Sequence, residues 1–188
     1  AATGTKAALA RWALRAGRDW HDKAWQGEEP GAWRDMKKRL AGKMVHHKVQ
    51  KALGFDQARI LLSGAAPISV ENLQFFTSLD LVIGEVYGQS EDSGPTAISL
   101  PGFIRIGAAG KPLPGVQVRI AEDGEILVKG PNVFRGYKGR PEATAETLQD
   151  GWLHSGDLGR IDEDGFIYVT GRKKDLLITS GGKNISPG

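Results

Sequence analysis

The chain has 188 residues, 40% of them hydrophobic and 25% charged, which suits one medium-sized or two small soluble domains. It contains no cysteine, which excludes disulfides, thiolate catalysis and cysteine metal sites and fits a reducing compartment. No apolar run is long enough to cross a bilayer, and the start shows neither a signal-peptide pattern nor an initiator methionine. We therefore expect a cytoplasmic protein, present here as a piece of a longer product.

The net charge of +3 conceals an asymmetry along the chain. Residues 1–60 hold 13 Lys and Arg against 6 Asp and Glu, whereas residues 61–188 hold 12 against 16. A basic segment can bind an anionic membrane or a nucleic acid, although solvated basic helix faces are commoner. Because no aromatic residues alternate with the bases of residues 37–51, the stacking platforms of single-strand binding are missing, and we expect no nucleic-acid partner.

The first third of the chain shows two helical patterns. One apolar face recurs at helical spacing, formed by Leu9, Trp12, Ala13 and Ala16. Gly17 is predicted to end that helix. A second apolar face begins near residue 33 and resumes after a phase shift near Gly42: Trp33, Met36 and Leu40, then Val45, Val49 and Leu53. The adjacent His46 and His47 point about 100° apart on a helix, so we expect two surface residues rather than a shared metal site.

The middle of the chain alternates between strand and helix. Residues 59–62 form a short apolar run that predicts a buried strand, and residues 81–87 begin another. Between them, Ser69 is positioned to cap a helix with Leu73, Phe76 and Leu79 on one face. Strand, helix and strand in this order predict a parallel crossover unit.

After about residue 94 the pattern becomes rich in short strands separated by glycine turns. Asp-Gly pairs at residues 123–124 and 164–165 lie between alternating apolar runs, which is a strong hairpin signal. We expect a small antiparallel barrel or sandwich, interrupted by a short helix near residues 142–148.

Each strand of the crossover unit ends in a segment suited to a nucleotide. Residues 63–67, Ser-Gly-Ala-Ala-Pro, are small enough for a flat ring to approach the backbone, at the strand end where open α/β sheets bind ligands. Residues 87–91, Tyr-Gly-Gln-Ser-Glu, offer an aromatic ring for stacking, a hydroxyl for a phosphate oxygen and a carboxylate for magnesium. Taken singly, each segment is also explained by an ordinary turn.

Two further polar segments lie near the end of the chain. Residues 151–159, Gly-Trp-Leu-His-Ser-Gly-Asp-Leu-Gly, hold an aspartate that could accept both hydroxyls of a ribose or could simply form a turn. Residues 171–175, Gly-Arg-Lys-Lys-Asp, hold an arginine whose planar fork could clamp phosphate or ribose oxygens, or that belongs to a basic surface turn.

In this order and at these separations, the four segments resemble the adenylate-forming superfamily of acyl-CoA synthetases, peptide-synthetase adenylation domains and beetle luciferases. The resemblance runs from about residue 60 to the last residue, and the fourth segment is most similar to bacterial long-chain fatty acyl-CoA synthetases. It implies a ligase that uses ATP, Mg²⁺ and coenzyme A. A fatty acid attacks the α-phosphate, pyrophosphate leaves, and the coenzyme A thiol then displaces AMP.

The resemblance also implies roles for individual residues. The implied nucleotide-binding residues are Gly64, Ala65, Ala66, Tyr87, Gly88, Gln89, Ser90, Asp157 and Arg172. The first three form the adenine-side wall, Tyr87 stacks on the adenine, and Asp157 holds the ribose hydroxyls. Ser90 stands where the family usually has Thr, and its hydroxyl reaches the α-phosphate. Glu91, as the magnesium ligand, and Arg172 are the implied catalytic residues.

The last segment corresponds to the family's hinge, on which a small C-terminal domain rotates. Lys173, Lys174 and Asp175 are the implied hinge residues, and Gly181 and Gly182 lie where relatives pass the pantetheine arm of coenzyme A. The family's upstream phosphate loop and the catalytic lysine of its C-terminal domain have no counterpart in this sequence. The resemblance therefore implies a piece of the enzyme that is inactive alone.

We therefore expect an α/β chain in four parts: a basic helical lead-in (1–58), a βαβ part of the nucleotide-binding subdomain (59–93), a β-rich, barrel-like subdomain (94–171), and the hinge with the start of a truncated C-terminal domain (172–188). An incomplete parallel sheet would expose apolar surface and favour an oligomer or association with the remainder of the enzyme. A peripheral membrane contact through the basic helices is compatible with this assignment.

Two alternatives stay open. One is an adenylate-forming enzyme for another carboxylic acid or for a carrier-protein thiol. The other is a non-catalytic module that binds an anionic surface, which steep salt dependence without nucleotide affinity would favour.

Overall fold

The computed structural model describes residues 4–25, 27–66, 68–100 and 102–175, and the backbone of 177–178 and 184–185. The chain divides into two compact units, Ala1–Gly84 and Glu85–Gly188. The fold is mixed α/β, as the sequence predicted, whereas the four-part division with boundaries at residues 58, 93 and 171 stays a prediction. Among the described helices, none has both the length and the apolarity that crossing a bilayer requires.

The first unit is mainly helical. Its elements are α1 (Thr5–Trp25), α2 (Ala32–Ala41), a π-helical turn (Gly42–His46), α3 (His47–Ala52), β1 (Leu61–Gly64), α4 (Val70–Ser78) and the start of β2 (Ile83–Gln89). The predicted strand–helix–strand order is therefore present in β1, α4 and β2. The Ser69 hydroxyl caps α4 by accepting a hydrogen bond from the Asn72 amide at 3.2 Å, as predicted. Leu73, on the predicted apolar face of α4, is buried.

Helix α1 continues through Gly17, where the sequence predicted its end. A β-carbon at this position would overlap the carbonyl oxygen of Ser78 at the end of α4. The glycine therefore lets two helices approach closely. The predicted helix end was wrong because glycine is favoured both at helix ends and at close helix contacts, and the sequence alone does not separate these two roles. The predicted apolar face is confirmed at Ala13 and Ala16, which are both buried.

The predicted phase shift near Gly42 is a π-helical turn between α2 and α3. Such a turn inserts an extra residue into the helix, so the apolar pattern resumes on a rotated face. His46 lies in this turn and is fully buried, with Nε2 3.0 Å from the Ala13 carbonyl oxygen. The surface position predicted for His46 was therefore wrong, and burial lowers the pKa of its imidazole. His47 is exposed, as expected.

The apolar face predicted for α2 points largely to solvent. Trp33, Met36 and Leu40 are 64%, 43% and 44% exposed. An amphipathic pattern predicts a shared face, but it does not say what covers that face.

A cluster of polar side chains, here called the Asp80 cluster, joins α1, α2 and the residues after α4. Asp80 has a positive φ of 61°, and its Oδ1 lies 2.7 Å from His21 Nε2 and 2.9 Å from Lys38 Nζ. The Lys38 ammonium also lies 3.6 Å from the centroid of the Trp20 ring. Burial alone would raise the pKa of Asp80, but hydrogen bonds from His21 and Lys38 hold that pKa below its usual value.

The second unit is rich in short strands. They are the remainder of β2, then β3 (Gly94–Ile98), β4 (Lys111–Pro112), β5 (Gln117–Ile120), β6 (Glu125–Lys129), β7 (Leu148–Gln149), β8 (Trp152–Ile161), β9 (Ile167–Arg172), β10 (Leu177–Ile178) and β11 (Asn184–Ile185). One helix, α5 (Pro141–Thr147), lies close to the predicted short helix. Fully buried side chains of this unit include Ile126, Val128, Leu153 and Ile167.

The described strand pairs of the second unit are antiparallel. Strand β3 pairs with β2 and β4, and a second sheet has the order β5-β6-β8-β7, with β9 also paired to β8. Both Asp-Gly hairpins are confirmed, one between β5 and β6 and the other between β8 and β9. The expected barrel-like closure is not found among the described strands, because β5 pairs only with β6 and the sheet stays open.

Candidate functional site

Three of the predicted site residues lie together in the second unit, in a group here called the Asp157 cluster: Tyr87, Asp157 and Arg172. The Tyr87 hydroxyl donates to Oδ2 of Asp157 at 3.0 Å, and Nε of Arg172 lies 3.1 Å from Oδ1. Asp157 and Arg172 are direct cross-strand partners on β8 and β9. The structure thus joins residues that are up to 85 positions apart in the sequence.

Burial differs sharply across the Asp157 cluster. The Asp157 side chain is 10% exposed, whereas the Arg172 side chain is 56% exposed. Tyr87 is buried, and this burial, together with the nearby Asp157 charge, raises the pKa of its hydroxyl. The phenol therefore stays protonated and acts as a hydrogen-bond donor to the carboxylate. The buried ring exposes little surface, so stacking of Tyr87 on an adenine stays a prediction.

A bulge in β8 brings Asp157 into position. Residues 155–157 face the single residue Ile126 of β6, because Glu125 pairs with Leu158 and Leu127 pairs with His154. The Ser155 hydroxyl donates to the Ile126 carbonyl at 2.6 Å and accepts from the Asp157 amide at 3.1 Å. Bulges are a common way of directing a side chain out of a regular ladder.

Beside the bulge lies a second buried carboxylate, Glu125. Its oxygens accept hydrogen bonds from the Gly156 amide at 2.9 Å and from Lys173 Nζ at 3.0 Å, and His154 Nδ1 lies at 3.1 Å. Burial alone would raise the pKa of Glu125, but these partners hold it below its usual value. Lys173 also pairs with Asp123 at 2.6 Å, and both carboxylates raise the pKa of its ammonium.

The segment after β2 turns sharply. A bulge follows Tyr87, and a β-carbon on Gly88 would overlap the carbonyl oxygen of Gly94, so this close backbone approach requires glycine. Ser90 begins a 3₁₀ turn that ends at the buried Asp92. Asp92 accepts from the Gln89 amide at 2.8 Å and from the Thr96 hydroxyl, and burial raises the pKa of its carboxyl. The Ser90 side chain remains exposed.

Glu91, the implied magnesium ligand, lies in this 3₁₀ turn and is partly exposed. The Tyr137 hydroxyl donates to its Oε1 at 2.6 Å, which raises the pKa of that tyrosine. The described residues contain no group of three His, Cys, Asp or Glu side chains that could hold a metal. One accessible carboxylate still fits Mg²⁺, because this ion retains waters and takes further ligands from substrate phosphates.

The remaining predicted site residues lie in other segments of the chain, three of them in the first unit. Gly64, Ala65 and Ala66 are exposed in the first unit: Gly64 ends β1 and the two alanines follow it, Ala65 with a positive φ of 67°. Gln89 has a buried side-chain nitrogen without a hydrogen-bond partner. The implied hinge residues Lys173, Lys174 and Asp175 form an exposed 3₁₀ turn after β9. The implied coenzyme A passage at 181 and 182 lies outside the described residues.

The sequence reasoning missed three side chains that support this site. Glu125 accepts hydrogen bonds from the β8 bulge and from Lys173. Asp92 stabilises the 3₁₀ turn that contains Glu91, and the Tyr137 hydroxyl donates to Glu91 itself. A signal existed for Glu125, which directly follows the predicted Asp-Gly hairpin turn. Nothing local marks Tyr137, because it lies 46 residues away from its partner.

Comparison with known proteins identifies close sequence relatives. A long-chain-fatty-acid–CoA ligase of Xenopus laevis, ACSBG2, is 45% identical over 188 residues, covering 97% of this chain and 25% of that protein. The long-chain-fatty-acid–CoA ligase FadD15 of Mycobacterium bovis is 42% identical over 187 residues, covering 100% of this chain and 31% of that protein. The chain thus spans about a quarter to a third of the length of these relatives.

Solved structures agree with this relationship. O-succinylbenzoate coenzyme A synthetase of Bacillus subtilis, in complex with ATP and magnesium, is 38% identical and covers 69% of this chain, with a TM-score of 0.62. The match includes 29% of that protein. The same enzyme bound to its acyl-adenylate intermediate gives a TM-score of 0.64. A family model described as AMP-binding enzyme matches residues 30–138, and the chain belongs to this family.

Proposed function

We propose that Tyr87, Asp157 and Arg172 form the ribose side of an acyl-adenylate site in a long-chain fatty acid–CoA ligase. The single observation that supports this most directly is the geometry of Asp157, a nearly buried carboxylate held between a tyrosine hydroxyl and an arginine. The two partners fix the direction of the carboxylate before any ligand arrives. Preorganised groups bind more tightly because little ordering is left to occur on binding.

The carboxylate keeps capacity for a ligand. An ionised carboxylate offers about four acceptor positions, and the described contacts of Asp157 use one on each oxygen. A ribose diol can take the remaining positions through two donated hydrogen bonds. Arg172 uses only its Nε in the described contacts, so its two terminal nitrogens are free to contact ribose or phosphate oxygens.

The proposed reaction has two steps. A carboxylate oxygen of the fatty acid attacks the α-phosphorus of ATP, the bond to pyrophosphate breaks, and an acyl-adenylate forms. The thiol of coenzyme A then loses its proton and attacks the acyl carbon, and AMP leaves with the electron pair of the broken bond. In this scheme Asp157 and Arg172 position the nucleotide, which is the main requirement of phosphoryl-type chemistry. Magnesium held by Glu91 would neutralise charge on the phosphates.

Two further assignments belong to the same proposal. The exposed backbone of Gly64, Ala65 and Ala66 suits a wall for the adenine ring, because side chains this small let a flat ring approach. The exposed hydroxyl of Ser90 is available to donate to the α-phosphate. Both remain proposals for this chain.

The class of acid is proposed from the relatives. The curated relatives described above are long-chain-fatty-acid–CoA ligases at 42–45% identity. The solved structures described above are of an enzyme for o-succinylbenzoate, at 38% identity. The higher identity over more of the chain favours a long-chain fatty acid, and it keeps another carboxylic acid as the alternative.

Nucleotide binding tests the proposed site. The chain is titrated by calorimetry with a non-hydrolysable acyl-sulfamoyl adenosine, alongside Asp157→Asn and the matched control Asp150→Asn, which makes the same change at an exposed turn. We expect the wild type and the control to bind alike and Asp157→Asn to bind at least about tenfold more weakly, since hydrogen bonds to charged groups are involved. Equal binding by a folded Asp157→Asn chain would refute the site.

The class of acid needs a separate assay. ATP–pyrophosphate exchange is measured with palmitate, acetate or o-succinylbenzoate. The enzyme used is the longest natural polypeptide that contains this sequence. We expect exchange with palmitate to exceed exchange with the other two acids. Faster exchange with either competitor would replace the long-chain acid by the alternative.

A further inference from the structure

We propose that Glu125 is a positioning residue that couples the two segments of the Asp157 cluster. The inference rests on the proposed function, because it concerns the same ribose site. In this proposal Glu125 does not contact the substrate. Its role is to hold the bulge of β8 and the end of β9 in one fixed relation.

Glu125 contacts the sequence neighbours of the two charged residues of the cluster, Asp157 and Arg172. Its Oε1 accepts from the amide of Gly156, which immediately precedes Asp157. Its Oε2 accepts from Nζ of Lys173, which immediately follows Arg172. A single carboxylate therefore binds β8 at 2.9 Å and the turn directly after β9 at 3.0 Å.

The bulge explains why a side chain is needed at this point. Residues 155–157 leave the regular β6–β8 ladder, so the Gly156 amide lacks the backbone partner that an unbroken ladder would offer. Gly156 is partly buried, so an amide without a partner is costly there, and the Glu125 carboxylate supplies the missing acceptor. The Glu125 side chain is only 5% exposed, so its own charge in turn requires the Lys173 ammonium.

This arrangement differs from an ordinary surface ion pair. In a surface pair, loss of the cation affects only its own exposed neighbourhood. Here the cation lies on the exposed side, at 47% exposure, while the acceptor reaches inward to the bulge. Loss of Lys173 therefore leaves a buried carboxylate unbalanced and should loosen Gly156 on β8, to which Lys173 makes no described hydrogen bond and is linked through the Glu125 carboxylate.

The test compares Lys173→Met with Lys174→Met, the same substitution at the next residue, which is also exposed and has no described polar partner. Amide hydrogen exchange is followed by NMR at Gly156. We expect Lys173→Met to speed exchange at Gly156 by about tenfold, comparable with the loss of one hydrogen bond to a charged group, and Lys174→Met to leave it unchanged. Lys173→Arg, which keeps the charge, should restore protection.

The same variants are then titrated with the acyl-sulfamoyl adenosine. We expect Lys173→Met to weaken binding about tenfold, and Glu125→Gln to weaken it similarly, with no further loss in the double variant. Equal Gly156 exchange in Lys173→Met and Lys174→Met would overturn the inference. A wild-type chain that binds no adenylate would overturn the proposed function instead, while the exchange result would still decide whether Glu125 couples the strands.

Discussion

The Asp80 cluster and the Asp157 cluster are built from similar parts with opposite exposure. In the Asp80 cluster, the carboxylate side chain is 35% exposed and the Lys38 side chain 20% exposed. In the Asp157 cluster, the carboxylate is 10% exposed and the arginine 56% exposed. In the Asp80 cluster the cation is the less exposed partner and lies between helices. The Asp157 cluster presents its cation to solvent, where an anionic ligand can reach it.

The two clusters also differ in the segments of the sequence from which their members come. Asp80 lies after the end of α4 and takes its partners from α1 and α2, so the Asp80 cluster connects three segments of the first unit. Asp157 and Arg172 are cross-strand neighbours, and both belong to polar segments that a nucleotide site would need. A buried or half-buried carboxylate with a cation is therefore not evidence of a ligand site by itself. The exposure of the cation and the surrounding segment decide between the two roles.

We expect the two clusters to differ most in how a substitution changes the affinity for the adenylate. Asp157→Asn should weaken adenylate binding about tenfold to a hundredfold, the equivalent of one or two charged hydrogen bonds. Asp80→Asn should leave the affinity unchanged, because that carboxylate belongs to a structural cluster. Calorimetric titration of both variants measures the difference. If Asp80→Asn weakened binding as much as Asp157→Asn, the comparison would fail.

The next effect concerns the close helix approach beside the Asp80 cluster. Gly17→Ala should destabilise the first unit by about 1–3 kcal/mol, because the added methyl overlaps the Ser78 carbonyl and must displace α4. Gly42→Ala is the matched control, since a β-carbon there meets its nearest neighbour, His47, only at 3.8 Å. Urea unfolding followed by tryptophan fluorescence measures both, and an equal loss in the control would contradict the packing argument.

A smaller effect is expected from the Asp80 carboxylate. Asp80→Asn removes the charge that pairs with His21 and Lys38, and it should cost about 1 kcal/mol of stability because the pair is partly open to solvent. Asparagine tolerates the positive φ of 61°, so backbone strain should not add to this loss. The unfolding midpoint in urea gives the value. No change in stability would show that the Asp80 cluster contributes no net energy.

The smallest effect depends on pH. Burial lowers the pKa of His46 below its ordinary value of 6.5, so the unfolded state binds the proton more readily than the folded state. Stability of the first unit should therefore fall as the pH drops through about 6.5. Four of the five tryptophans lie in residues 1–84, which makes fluorescence a probe of this unit.

The control for the pH effect is His46→Gln, which removes the titrating group. This variant should be less stable than the wild type at pH 7, and its stability should change less between pH 7 and pH 5.5. An unchanged acid dependence in His46→Gln would assign the effect to another group.

Local patterns in the sequence predicted the elements that depend on near neighbours. The Ser69 cap, the Asp-Gly hairpins and the phase shift at Gly42 each need only a few adjacent residues. The errors at Gly17 and His46 arose where remote segments decide the outcome. Gly17 meets Ser78, and His46 meets Ala13, 33 residues away.

The candidate site divides in the same way. Asp157 and Arg172 lie in recognisable segments, so the sequence marked them as candidates, and the structure adds that they pair directly. Glu125 and Tyr137 escaped prediction because their roles depend on which strands and loops lie beside them. A periodicity argument does not supply such non-local neighbours.

The ribose contact proposed for Asp157 can be tested by removing the ribose hydroxyls from the ligand. Affinities are measured for the acyl-sulfamoyl adenosine and for its 2′,3′-dideoxy form, in the wild type and in Asp157→Asn. We expect about a tenfold preference for the ribose form in the wild type, and loss of that preference in Asp157→Asn. A full ribose preference retained by the folded variant would contradict the assignment of the ribose contact to Asp157.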